Sequence, residues 1–160
     1  MPPPVDLAAF EQRLRLAFPP HPFHGLVSTH GECDDGIHLR RELPGRRWDE
    51  LSPDVLFHGS IALPLLEPDA LVAFLPAWLL RSFQTFGRDS LLLEFTLYFL
   101  CPGSDNEGWD DEHRSERIAP FNPAQRALVG ELLQAIVNDP ALEVWRPRAE
   151  YGLRSWLSHP

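Results

Sequence analysis

The chain has 160 residues and a formal net charge of −9, with 44% hydrophobic and 11% aromatic content. A chain of that length is one domain able to bury about two-thirds of its unfolded surface without staples. Its acidic balance argues against a nucleic-acid or anionic-membrane partner, and two cysteines, Cys33 and Cys101, are too few for a disulfide framework and fit a reducing cytoplasm.

The N-terminus, MPPPVDLAAFEQRLRLAF, lacks a basic n-region followed by an apolar h-region, so it does not read as a secretory signal. Val5-Asp6 opens a first helix. Asp6 is its cap, Val5 and Phe10 are placed for a hydrophobic staple, and Leu7, Phe10, Leu14 and Phe18 form its buried stripe. Pro19-Pro20 ends it. Residues 21–47 are the least regular part, with a short helix from about Glu32 to Leu43 weakened by Gly36, at about 1 kcal/mol relative to alanine. Ser52-Pro53-Asp54 combines a cap with proline at the first helical position and opens a short helix through Phe57.

Leu65 to Cys101 is the densest block of large apolar side chains and reads as two consecutive helices at the centre of the fold. Glu67-Pro68-Asp69 starts the first. Leu71, Phe74, Leu75, Trp78, Leu79, Phe83 and Phe86 recur at the spacing of one wide helical stripe. Pro76 cannot bond back to Val72, which predicts a kink or a split after residue 74. Gly87 is a stop, and Asp89 or Ser90 caps a second helix over Leu91–Leu100. That run is apolar on nearly all sides, which places it in the middle of the fold; a buried strand is the rival reading, since TLYFL is rich in strand formers. A membrane span needs about 20 uninterrupted apolar residues, and Arg81, Gln84, Arg88, Asp89 and Glu94 interrupt this block.

Residues 102–121 form a long polar connection. Asn122-Pro123-Ala124-Gln125 is a capping box with proline at the first helical position, opening a helix that buries Ala127, Leu128, Leu132, Ala135 and Ile136 and stops near Asn138-Asp139-Pro140. A last helix over about Pro147–Leu157 uses Tyr151, Leu153, Trp156 and Leu157. The fold class is therefore all-α or mainly α: one helical domain over 1–160, with its core at about 5–157 and at most a small sheet.

Four stretches recur in order: HGECDD (His30–Asp35), GRRWDEL (Gly45–Leu51), LLEPDALVAFLPAWLL (Leu65–Leu80) and FNPAQRALVGELL (Phe121–Leu133). In these the chain resembles an uncharacterised bacterial domain-of-unknown-function family with a His/Cys/acid segment, a Gly-x-x-Trp, a Leu-Pro-Ala helix and a Pro-x-Gln-Arg helix. The resemblance spans roughly residues 10–137, a typical domain length. It implies a single small domain and carries no activity. Trp78 stands where the family has tyrosine, and one cysteine stands where it has two, a departure that puts any family-wide metal site in doubt for this chain. That every one of the fourteen cations is arginine fits a GC-rich bacterial genome.

The most chemical stretch is His21-Pro-Phe-His24 with His30, Glu32, Cys33, Asp34, Asp35 and His38. Zinc needs three or four such ligands in a tetrahedron at about 2.0–2.3 Å, and the paired Cys-x-x-Cys or Cys/His spacing that marks structural zinc sites is missing. The plainer reading is a polar loop whose acids cap a helix, with Cys33 as a small packing residue. Cys33 is also a candidate nucleophile, with His30 or His38 to activate it. Arg40, Arg41, Arg46 and Arg47 just before Trp48 offer a phosphate or carboxylate site, against simple pairing with nearby acids. Asp105–Glu116 looks calcium-like, but from Asp105 the fifth position is Trp109 and the sixth is Asp110, which breaks the EF-hand register. No Gly-rich phosphate loop, G-x-S-x-G or H-E-x-x-H is present.

These observations lead to an expected non-enzymatic, cytoplasmic binding domain of immunity or accessory type. It would act on a protein partner, with no cofactor, nucleic acid or membrane, and with His30, Glu32, Cys33, Asp34, Asp35, His38, Arg40, Arg41 and Trp48 as candidate binding residues. A metal-dependent or thiol enzyme using His30–His38 is the alternative.

Overall fold

Asp6 is a helix cap as the sequence predicts: its carboxylate accepts from the Ala9 amide at 3.0 Å and caps α1 (Leu7–Ala17), which buries Phe10 and Leu14. The computed structural model describes residues 6–86, 88, 90–101 and 116–158, and none of them is in a strand. The proposed staple residue Val5, the stop at Gly87, the cap at Asp89 and the calcium-like stretch from Asp105 through residue 115 lie outside the described residues.

α2 (Asp34–Glu42) starts two residues later than expected. α3 (Pro53–Gly59) is capped by Ser52, whose hydroxyl accepts from Val55 at 3.2 Å. It runs directly into a 3-10 turn over Ser60–Leu65. α4 (Pro68–Gln84) is one helix with Pro76 inside it, so of the two alternatives at Pro76 the split does not occur. Proline inside a helix costs about 3 kcal/mol, whereas each large side chain fully buried contributes about 1.5–3 kcal/mol. Leu71, Phe74, Leu75, Trp78, Leu79 and Phe83, spread over both sides of Pro76, are all buried in one core. Burial therefore outweighs the broken hydrogen bond.

α5 (Ser90–Leu100) is a helix, not the rival strand. It is less enclosed than its composition predicts: Leu92, Leu93, Thr96, Leu97, Phe99 and Leu100 are buried, Phe95 is half-buried, and Leu91 and Tyr98 are exposed. α6 (Pro123–Asn138) opens with the predicted capping box. Asn122 and Gln125 exchange side-chain-to-backbone bonds at 2.9 Å in both directions. A 3-10 turn over Pro140–Trp145 leads into α7 (Arg146–Leu157). Leu7, Ala127 and Leu157, read as buried from their periodicity, are exposed. Among the described residues no helix is long and apolar enough to cross a membrane.

α4 is the hub, packing against α1, α3, α5, α6 and the 3-10 turn at Trp48. Two fully enclosed indoles tie elements together through their N–H groups: Trp78 donates to the Leu56 carbonyl at 3.0 Å and Trp156 to the Leu100 carbonyl at 2.7 Å. Edge-on aromatic pairs join α1 to α4 (Phe10–Phe83, 4.5 Å) and the 21–27 loop to α4 (Phe23–Phe74, 5.5 Å). α7 approaches the end of α5 so closely that a Cβ at Gly152 would fall 2.1 Å from the Cys101 sulfur. Half-buried Arg117 closes the end of the Ser60–Leu65 turn by donating to the Leu66 carbonyl at 2.8 Å and to that of Pro64. Its desolvation by burial lowers its pKa from the usual arginine value.

Candidate binding groove

The structure divides the candidate residues between two places. In the first, the chain from His30 to His38 is wound tightly onto the start of α2. The Cys33 sulfur accepts from the Gly36 amide at 3.4 Å, so an exposed cysteine, not a buried packing residue, is the cap of this helix. Asp34 and Asp35 lie exposed in the first turn, where their charge complements the helix dipole. The His30 carbonyl sits where a Cβ at Gly36 would be, 1.6 Å away, and the Arg40 guanidinium covers Gly31. His38 is half-buried, edge-on to His58 with ring centroids 6.1 Å apart, and its Nε2 is buried without a hydrogen-bond partner.

The other candidates here are surface groups. Glu32 is exposed, and Arg41 pairs with its neighbour Glu42 at 3.0 Å. His21 and His24 do not fold back onto Cys33: His21 contacts the Pro19 carbonyl and His24 lies beside Gly45. Among the described residues no three His, Cys, Asp or Glu side chains come together in a way that could hold a metal ion. Cys101, the other cysteine, is buried, and burial pushes its thiol up to about 12. The reactive species is the thiolate, so this is an inert sulfur at neutral pH.

The second place is built around Trp48. Arg47 forks onto the Asp49 carboxylate with two bonds of 2.9 Å, and Arg15 reaches the same carboxylate at 2.7 Å while lying over the Trp48 ring at 5.3 Å. The Asp49 side chain is only 6% exposed. Its hydrogen bonds from Arg47, and then from Arg15, hold its carboxyl below the usual range against the opposing effect of desolvation. Asp49 likewise raises the Arg15 and Arg47 values. Of the four clustered arginines, Arg47 alone is drawn into this network. Arg40 and Arg41 ride on α2, and Arg46 is exposed.

Trp48 itself is buried, and it forms part of the floor of a pocket of about 400 Å³ with Phe18 and Phe23. One wall is the first half of α4, contributing Asp69, Val72 and Ala73. With Pro76 these stand at i, i+3, i+4 and i+7, one stripe of the helix. The opposite side is the end of α1 and the chain just after it. There the last carbonyls are closed by groove residues: Trp48 Nε1 donates to Phe18 at 2.8 Å, Gln125 Nε2 to Ala17 at 3.0 Å, and His21 Nδ1 lies 2.9 Å from the Pro19 oxygen. Pro19 and Pro120 edge the opening. The volume lies in the lower part of the range for ligand sites, and the pattern of an apolar floor with a few placed polar groups is that of a binding pocket.

Sequence reading found Trp48 as a candidate and missed its neighbours. Phe18 and Asp69 were legible only as a helix stripe and a helix start, and Gln125 as a cap. The groove joins residues up to 107 positions apart, from Phe18 to Gln125, and no local pattern announces such a meeting. The chain matches no protein-family profile, no curated protein and no solved structure.

Proposed function

We propose that this chain is a non-enzymatic, cytoplasmic bacterial domain of the immunity or accessory type that binds a protein partner through the Trp48 groove. The observation that carries the reading is the make-up of that groove. A cavity of about 400 Å³ stands over an aromatic floor whose rings belong to the core, and the polar groups of Trp48 and Gln125 are turned inward onto the protein's own carbonyls. Such a surface offers shape and apolar area, and its described lining holds no serine, threonine or cysteine nucleophile. The formal charge of −9 favours a basic partner, which it steers and selects at long range.

The test is reconstitution with the partner that co-purifies from the native host. That protein, identified and purified separately, is expected to bind the wild-type chain and to lose affinity at least about tenfold, or 1.4 kcal/mol, on Ala73→Arg, which fills the groove. Val144→Arg, on an exposed site in the turn before α7, is expected to leave binding intact. Equal binding by Ala73→Arg, with its helical spectrum unchanged, removes the groove from the interface.

A further inference from the structure

We draw no further inference here: the strongest candidate, the outward apolar stripe of α5 at Leu91, Phe95 and Tyr98, continued by the edge-on ring of Trp145 before α7, is an unpartnered helix face, and nothing in the structure shows what covers it.

Discussion

The His30–His38 segment and the Trp48 groove make opposite uses of polar side chains. The first concentrates imidazoles, a thiol and carboxylates within nine residues, yet its groups serve the start of α2: Cys33 caps it, Asp34 and Asp35 complement its dipole, and Gly36 lets the His30 carbonyl close against it. The second is drawn from four separate stretches of chain, is mostly apolar, and commits the donors of Trp48 and Gln125 to the end of α1. Density of chemical side chains along a sequence thus reflects how a short helix is started. The groove comes instead from long-range packing, which no short run of the sequence encodes.

The largest test of that contrast is Trp48→Ala. It removes an enclosed indole together with its bond to Phe18, and the expected loss is about 3–5 kcal/mol in urea unfolding, the range for a large aromatic taken from a core. A loss below about 1 kcal/mol, the scale of surface sites, would mean that the groove floor is not part of the core. Gly36→Ala attacks the other region, since its Cβ meets a backbone oxygen rather than a movable side chain. We expect a loss of about 1–3 kcal/mol with partner binding at the groove unchanged. A groove that failed along with α2 would show the two regions to be one unit.

Asp49→Asn gives a smaller effect, visible in its pH dependence. The folded carboxyl is depressed by Arg47 and Arg15, so its contribution is present above the unfolded value of about 3.9 and lost as pH falls through the folded one. Wild type should be the more stable protein at neutral pH, and the two unfolding midpoints should converge in acid. A gap that stays constant with pH would rule out the ion-pair account. Cys33→Ser should do least: serine is itself a good cap, and the stability should stay within about 0.5 kcal/mol. A larger drop, or stoichiometric zinc in untagged wild type that Cys33→Ser abolishes, would return the segment to a chemical role.

What was legible in the sequence was local. Asp6, Ser52-Pro53 and Asn122 with Gln125 mark helix starts because caps and first-turn prolines act within four residues, and all three appear as read. The stripe from Leu71 to Phe83 located the buried face of α4. Whether the chain splits at Pro76 was not legible, because the local cost of proline competes with the burial on both sides of it, which a stripe alone does not measure. Phe95 reads as central and is half-buried, while Leu93, Leu97 and Leu100 face the core; in a run apolar all round, periodicity cannot say which side faces in. The groove was illegible for a related reason. Trp48 could be singled out, but its partners Phe18, Asp69 and Gln125 each carried a sufficient local explanation.

The most direct test of the central claim is a photocrosslinking comparison in the native host. One protein carries a benzophenone side chain at Pro19, on the edge of the groove; another carries it at Asp35, exposed on α2. The groove account predicts a discrete adduct with one basic protein from Pro19, suppressed by Ala73→Arg, and none from Asp35. That adduct arising from Asp35 and not from Pro19 would contradict it.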